Sequence, residues 1–341
     1  MGLRQCGRRA ASVAALLGLA AAAMVAAANA QEKTYLMKIT FPTLNDSLHQ
    51  FAKDYAAAVA KESGGRIKTE LYPASQLGSI PRQIEGVQFG AIQCVLIPPE
   101  FMAGVDERFE LMAAPGLVTS MEHGQRVAAD PAVRKLMLGL GANKGLHGVG
   151  LYMATPSSVI AKSPIRQLAD FKGKKIRVFA SEFQMAAFKR LGTTPVAMTL
   201  GDVLPAIQQG AIDGALGGFT VFTPMGFQDA AKYVTEIGQP SVFIIVEVSK
   251  KWYDGLPADL QQILDRAGAQ ESAAINPWAV ELNGKVRQGW LDKGGQAISL
   301  PPDDQAAMMS TLASVAEDVS KAKPELGAAY GIVTDAAKRT R

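Results

Sequence analysis

Residues 35–41 read YLMKITF, and residues 42–63 continue as PTLNDSLHQFAKDYAAAVAKES. The first segment is rich in β-branched and aromatic residues and is followed by a proline, which is typical of a strand. In the second segment a polar turn precedes apolar residues at helical spacing between Leu48 and Val59, and two glycines end the pattern. These residues therefore predict a strand, a capped turn and a helix.

The same alternation continues along the chain. Residues 66–71 and 91–97 predict two more strands, with a short helix at residues 80–89 between them. Such alternation predicts an α/β fold with mostly parallel sheets flanked by helices. A second series of the same kind spans residues 149–216, so we expect two similar lobes instead of one long sheet.

The C-terminal third predicts a return of the chain from the second lobe to the first. Residues 241–248 have a strongly apolar strand pattern, and Pro257 starts a long helix pattern that extends to about Trp290. We expect this helix to brace both lobes and to kink near Asn276, because Pro277 interrupts its pattern.

These elements predict the boundaries of the domains. We expect a signal peptide at residues 1–30, a first lobe at 31–153 plus about 242–280, a second lobe at 154–241 plus about 281–338 with a last helix at 303–322, and a frayed tail at 339–341.

Residues 1–30 differ from the rest of the chain. Three arginines precede an apolar run at residues 10–28, which ends in Ala28-Asn29-Ala30. This three-part layout is typical of a signal peptide. We expect cleavage after Ala30 and export to the periplasm, and loss of the three arginines lowers the formal net charge from +4 to +1.

The remaining chain has no feature of a nucleic-acid-binding or membrane-spanning protein. No Lys/Arg cluster exceeds an ordinary solvated helix face, and no later stretch approaches the roughly 20 apolar residues of a membrane span. Cys94 has no second cysteine to pair with after export, and its apolar neighbours predict a buried strand cysteine. We therefore expect no nucleic-acid partner and no stable membrane insertion.

The residues that enzymes need for catalysis do not occur in recognisable patterns. His49, His123 and His147 lie in different parts of the chain, and none has a metal-ligand spacing. The sequence has no Gly-x-Ser-x-Gly nucleophile turn and no phosphate-binding loop. We therefore expect no catalytic residues, no metal site and no cofactor, and we do not expect an enzyme.

A charged residue interrupts one apolar strand, in the segment KGKKIRVF at residues 172–179. Alternation along the strand puts Ile176 and Val178 on one face and Arg177 and Phe179 on the other. A buried guanidinium must meet an anion or reach water. Arg177 therefore either binds an anionic ligand at the end of the sheet or forms a structural ion pair, and the residues alone favour the ion pair.

Several motifs occur in order along the chain. They are LYPASQLG at 71–78, KIRV at 175–178, LG at 191–192, PVAM at 195–198, AIQQGAIDG at 206–214 and LPADL at 256–260. Together they resemble the DctP-type family of TRAP transporter solute-binding proteins. The resemblance implies two α/β lobes with a central cleft, a long helix that bridges both lobes, and binding of a small carboxylate by the arginine that matches Arg177.

Two departures from the family pattern bear on the ligand. After Ile-Asp-Gly, sialic-acid and C4-dicarboxylate binders usually continue Gln-Glu-Asn, whereas this chain has Ala215-Leu216-Gly217. The second basic residue of sialic-acid binders would fall near Ser157, where no arginine stands. We therefore expect a roomier, more apolar pocket wall and a monocarboxylate with an apolar or aromatic body.

The candidate ligand-binding residues lie at the ends of strands in both lobes. We expect the first lobe to contribute the loop around Asn45 and His49 and the segment from Pro98 to Phe101. We expect Arg177 to be accompanied by wall residues of the second lobe: Thr155, Ser157, Phe179, Gly217, Phe219 and Phe222.

The function implied by the resemblance is transport. Closure of the lobes would capture the carboxylate, and the closed protein would deliver it to TRAP permease subunits in the membrane. Two alternatives stay open: a binding protein for a different importer or for a sensor, and a periplasmic enzyme that acts on organic acids.

Overall fold

The computed structural model describes residues 33–341 and contains two β-sheets. The predicted signal peptide and its cleavage after Ala30 fall outside these residues. In chain order the strands are β1 (Tyr35–Thr40), β2 (Ile67–Tyr72), β3 (Cys94–Ile97), β4 (Leu146–Thr155), β5 (Ser158–Ala161), β6 (Lys175–Val178), β7 (Thr194–Ala197), β8 (Gly214–Gly217), β9 (Tyr233–Glu236), β10 (Val242–Ser249) and β11 (Gln296–Ser299). The α-helices are α1 (Ser47–Glu62), α2 (Ile80–Phe89), α3 (Met121–Ala129), α4 (Pro131–Gly139), α5 (Glu182–Arg190), α6 (Leu200–Gln208), α7 (Phe219–Phe222), α8 (Lys250–Asp254), α9 (Ala258–Asp292), α10 (Pro302–Ala322) and α11 (Pro324–Arg339).

The first sheet has the strand order β2-β1-β3-β10-β4. Strands β1 and β3 are parallel, with Ile39 opposite Cys94. Strand β10 enters between β3 and β4 and is antiparallel to both. The predicted strands of this sheet are confirmed, and Cys94 is buried within β3 as expected. We call the part of the protein around this sheet the first lobe.

The second sheet has the strand order β11-β9-β5-β8-β6-β7. Strand β6, which carries Arg177, is parallel to both of its neighbours, β7 and β8. Strand β5 is antiparallel to β8 and β9, while β11 is parallel to β9. We call the part of the protein around this sheet the second lobe.

The α/β class and the two-lobed architecture are confirmed, and both sheets are mixed. The strands that run against their neighbours, β5 and β10, each follow a crossing of the chain from one sheet to the other. Only Pro156 and Ser157 separate β4 in the first sheet from β5 in the second, so the chain passes directly from one sheet to the other. The crossings between the sheets set the directions of these strands. The strand pattern of a sequence does not reveal strand direction.

The long helix α9 bridges the two lobes, as the resemblance implies. It packs against α1 and β4 of the first lobe and against α7 and β11 of the second. The contact with β4 is close, since a Cβ at Gly268 would lie 2.5 Å from the carbonyl oxygen of Val149. Pro277 lies within the helix. Although α9 has 35 residues, neither it nor any other helix within residues 33–341 is apolar enough to cross a membrane.

The C-terminus differs from the sequence prediction. Helix α10 packs on α5 of the second lobe, but it is followed by α11, which packs on α3 and α4 of the first lobe. The assignment of residues 281–338 to the second lobe therefore does not hold for α11. In the tail expected to fray at 339–341, Arg339 Nη2 lies 2.9 Å from Asp130 Oδ2 and Arg126 Nε donates to Thr340 O, so the first two of these residues contact the first lobe.

Candidate functional site

A cavity lies where strands of the two lobes end facing each other. It contains about 650 Å³ of space between atoms, part of it open to solvent. Strands β1, β3 and β4 of the first lobe and β6 and β8 of the second bring the chain to its walls, as expected for α/β sheets. Its lining consists of Pro42, Thr43, Asp46, Ser47, Leu48, Ile80, Pro98, Phe101, Ala154, Thr155, Arg177, Phe179, Leu200, Val203, Ala215, Leu216, Gly217, Gly218, Thr220, Val221, Phe222, Val242 and Ile244.

The guanidinium of Arg177 is held from two sides while the residue is only 2% exposed. Its Nε donates to the carbonyl oxygen of Met198 at 2.9 Å, and its Nη1 donates to that of Leu216 at 3.1 Å. The guanidinium carbon lies 4.5 Å from the centre of the Phe179 ring, a cation–π contact. These contacts leave Nη2 without a hydrogen-bond partner among the described residues.

Arg177 has no acidic partner within ion-pair distance among residues 33–341. The structural ion pair that the sequence favoured before the resemblance is therefore not formed in this part of the chain. Burial lowers the pKa of Arg177 to about 9, and the charge of nearby Glu100 opposes that shift. A buried guanidinium in this position is ready to pair with an anion that enters the cavity.

Aromatic rings continue from Arg177 into the first lobe. The ring of Phe179 stacks on that of Phe101, with centroids 5.3 Å apart and ring planes 19° apart. The backbone N–H of Phe179 donates to Gln184 Oε1 at 2.8 Å, which fixes the end of β6. Phe101 and Phe179 therefore form an aromatic contact between the lobes beside the cavity.

The wall after β8 is apolar, but it is not roomier at Gly217. A Cβ at Gly217 would lie 2.8 Å from Cε1 of Phe222, and one at Gly218 would lie 2.7 Å from Oγ1 of Thr155. The ring of Phe222 thus fills the space that a side chain at position 217 would take. Glycine is needed at both positions for this close packing.

The first lobe contributes polar groups that the sequence prediction missed. Asp46 caps α1 by accepting a hydrogen bond from the backbone N–H of His49 at 3.1 Å, and burial raises the pKa of Asp46 to about 6. Thr43 Oγ1 is buried and has no hydrogen-bond partner within residues 33–341, but its hydroxyl lies near Asp46 and lowers the pKa of that carboxyl. An aspartate before a helical pattern is an N-cap signal, so Asp46 could have been selected.

Most of the predicted site residues meet at the cavity. Arg177, Phe179, Gly217 and Phe222 line it from the second lobe, and Thr155 and Pro98 line it from the ends of β4 and β3.

Four predicted residues lie elsewhere. Ser157 Oγ donates to the carbonyl oxygen of Pro240, and the ring of Phe219 makes an edge-to-face contact with Trp290 in the core. Asn45 donates its backbone N–H to Nδ1 of His49, whose ring packs beside Phe41. Neighbours of these residues face the cavity in their place.

The described residues show no donor set for a metal ion. No group of three or more His, Cys, Asp or Glu side chains within residues 33–341 could hold one.

Comparison with known proteins agrees with this architecture. A family model for bacterial extracellular solute-binding proteins of family 7, named DctP, matches residues 40–322. The C4-dicarboxylate-binding periplasmic protein DctP of Rhodobacter capsulatus is 27% identical over 275 residues, 79% of this chain and 81% of that protein.

Solved structures share the fold at low identity. The sugar acid binding protein DctPAm of Advenella mimigardefordensis, in complex with galactonate, has a TM-score of 0.85 and 20% identity over 91% of this chain and 99% of its own. A TRAP periplasmic solute binding protein of Desulfovibrio salexigens with bound orotic acid has a TM-score of 0.85 and 20% identity over 90% of this chain and 100% of its own.

The resemblance seen in the motifs is thereby confirmed. Because the family model spans residues 40–322, far more than half of the chain, this protein belongs to the bacterial extracellular solute-binding proteins of family 7, the DctP-type binding proteins of TRAP transporters.

Proposed function

We propose that this protein captures a small monocarboxylate with an apolar or aromatic body and delivers it to a TRAP permease. The observation that carries this proposal is the guanidinium of Arg177, which is buried, without an acidic partner in the described chain, and directed at an apolar cavity. The family is a class of transport proteins, not of enzymes, and its members are periplasmic.

A single carboxylate on the ligand agrees with the charges of the lining. Arg177 is the cation among the described residues that line the cavity, and Asp46 is the acid. A second carboxylate would find no further cation there, and an ionised Asp46 would repel it. This charge pattern favours a monocarboxylate over a dicarboxylate.

An apolar ligand body agrees with the rest of the lining. Thr155 Oγ1 already lies 2.6 Å from Asn283 Oδ1, and Asp46 already accepts from His49 N, which leaves the three hydroxyls of Thr43, Ser47 and Thr220 as polar side-chain groups of the described lining beside Arg177. A polyhydroxylated acid would bury hydroxyl groups with few partners, each at a cost of roughly 1–3 kcal/mol. The galactonate-binding relative from Advenella therefore need not share its ligand with this chain.

Capture by closure follows from the way the walls are divided between lobes. Only a closed protein brings the end of β3 and the end of β6 to one ligand, so a bound carboxylate stabilises the closed state.

We assign residues 33–153, about 242–280 and α11 to the first lobe, and residues 154–241 and about 281–322 to the second. Cleavage of the signal peptide after Ala30 remains part of the proposal.

The alternatives predict different observations. A binding protein for another importer or for a sensor would bind the same ligands, so only reconstitution with a TRAP permease distinguishes it. A periplasmic enzyme would turn its ligand over. The described cavity lining contains no histidine, cysteine or lysine, and this favours binding.

A thermal-shift panel tests the ligand class. A ligand that binds only the folded protein raises its melting temperature. We expect phenylacetate, benzoate or hexanoate to raise it by several degrees, and succinate, galactonate and glucuronate to leave it nearly unchanged. Stabilisation by succinate or the sugar acids alone would contradict the proposed ligand class, and stabilisation by no carboxylate would contradict the proposed function.

A further inference from the structure

A second ionisable residue, Glu100, lies beside the cavity. It belongs to the 3₁₀ helix Pro99–Met102, between the lining residues Pro98 and Phe101, and it is 1% exposed. Its Oε1 accepts a hydrogen bond from Gln184 Nε2 at 3.1 Å. The same side chain of Gln184 accepts from the backbone N–H of Phe179, so Glu100 is linked across the lobes to the residue that supports Arg177.

Glu100 has no cation within ion-pair distance among the described residues. Burial raises the pKa of Glu100 to about 8, the nearby Glu110 carboxyl acts in the same direction, and the charge of Arg177 acts against it. Glu110 itself accepts hydrogen bonds from Ser181 Oγ and from the first backbone N–H groups of α5. The other charged residues on elements packed against this 3₁₀ helix or against the 3₁₀ helix of Glu110 are Arg82, Glu85, Glu107, Arg108, Glu182, Lys189, Arg190, Glu247, Glu325, Asp335, Lys338 and Arg339. Glu107 and Glu182 are both paired with Lys323.

Two carboxylates would share one guanidinium once a ligand binds. An ionised Glu100 would draw on the positive charge of Arg177 and would repel the incoming ligand. A protonated Glu100 does neither, and it still accepts the hydrogen bond from Gln184. The ligand and the proton therefore favour each other's binding, and this linkage is reciprocal.

We propose that Glu100 is a proton-binding group of this site, so that the ligand carboxylate is captured together with one proton on Glu100. This inference rests on the proposed function, because it needs an anionic ligand at Arg177. The proton comes from solvent and ends on a carboxylate oxygen of Glu100, and no bond of the ligand changes. Affinity must then fall at alkaline pH, where Glu100 has to be protonated before the ligand can bind well.

Calorimetry measures the proton directly. Titration of the purified protein with phenylacetate, in two buffers that differ in ionisation enthalpy, reports the protons taken up per ligand. We expect uptake of roughly half a proton near pH 8 and little near pH 6.5, and a Kd that rises roughly eightfold from about pH 7.5 to pH 9. Phenylacetate does not titrate in this range.

The variant Glu100→Gln mimics the protonated acid and keeps an acceptor for Gln184. We expect it to bind phenylacetate with a Kd within about threefold of the wild-type value at pH 7, with proton uptake near pH 8 reduced to roughly a tenth of a proton and with only about a twofold rise in Kd toward pH 9, which comes from Arg177, whose pKa burial lowers to about 9. The matched control is Glu247→Gln, since Glu247 is 0% exposed, has two carboxylate oxygens with no partner in the described part of the chain, and does not line the cavity. That variant should take up protons as the wild type does.

The outcomes separate this inference from the proposed function. Binding of phenylacetate by the wild type without proton uptake near pH 8 would overturn the role of Glu100 and leave the function intact. Unchanged proton uptake in Glu100→Gln would do the same. Absence of binding by phenylacetate and by every other carboxylate of the panel would overturn both.

Discussion

The ring of Phe101 in the first lobe stacks on the ring of Phe179 in the second, with centroids 5.3 Å apart. Phe101 follows β3, Phe179 follows β6, and the guanidinium of Arg177 lies on Phe179. The ring of Phe179 therefore takes part both in a contact between the lobes and in holding the guanidinium of Arg177, which we propose binds the ligand. This arrangement couples closure to the orientation of Arg177.

Substitution Phe101→Ala should weaken ligand binding without unfolding the protein. An aromatic pair contributes roughly 0.5–1.5 kcal/mol beyond its buried area, so we expect the Kd for phenylacetate to rise about tenfold. Isothermal calorimetry checks this value. The control is Phe89→Ala, because Phe89 is 76% exposed and does not line the cavity. Equal affinities in the two variants would argue against a role for the stack.

Substitutions at Arg177 should separate charge from geometry. Arg177→Lys keeps a positive charge but loses the planar fork and its contact with Phe179, and we expect about a tenfold rise in Kd. Arg177→Ala removes the charge-assisted hydrogen bonds, and we expect a rise of about a hundredfold or more. The exposed Arg190→Ala serves as the control for calorimetry. Wild-type affinity in Arg177→Ala would remove this residue from the site.

Substitution Gly217→Ala should disturb the wall after β8. The added Cβ would lie 2.8 Å from Phe222 Cε1, so the ring must move or the strand must shift. We expect a loss of about 1–3 kcal/mol in the free energy of unfolding, measured by urea denaturation, together with weaker ligand binding. The double variant Gly217→Ala with Phe222→Leu should recover part of the lost free energy of unfolding and part of the lost ligand affinity. Gly201→Ala, with no atom within 4 Å of its added Cβ, should be nearly neutral.

The buried carboxyl of Glu247 should make the protein less stable as pH rises. Burial raises the pKa of Glu247 in the folded protein well above its usual value of 4.5. At pH values between the unfolded-state pKa and the raised folded-state pKa, the folded state therefore binds more protons than the unfolded state. The free energy of unfolding must therefore fall with increasing pH over that window. Glu247→Gln should remove this contribution, so its stability relative to wild type should be greater at pH 8 than at pH 5 in urea denaturation. If the free energies of unfolding of Glu247→Gln and wild type differ by the same amount at pH 5 and pH 8, Glu247 does not titrate between these pH values.

A charge inside an apolar strand drew attention to Arg177, but the residues alone favoured a structural ion pair, and the ligand-binding role came from the resemblance to the DctP-type family. Strand ends also located Pro98, Thr155 and Phe179 at the cavity, because parallel strands bring their carboxyl ends to one edge. Loop residues were harder to predict. In the turn before α1 the cavity is met by Thr43 and Asp46, while Asn45 takes a positive φ of 54° and lies outside the lining.

Tertiary contacts explain the other differences. In the short helix α7, Phe222 faces the cavity and Phe219 packs toward Trp290, a choice that depends on the direction in which the chain leaves β8. Helix α11 contains Gly327 and Gly331, which weaken its local helix signal. Its packing on α3 and α4 provides the stability that the local sequence lacks.

A crystal structure of the protein with bound phenylacetate tests the central claim most directly. The account predicts the ligand carboxylate at about 2.8 Å from the guanidinium nitrogens of Arg177, with the aromatic body against Phe179 and Phe222. A ligand bound elsewhere, or an Arg177 side chain turned away from the cavity and paired with Glu100, would contradict it.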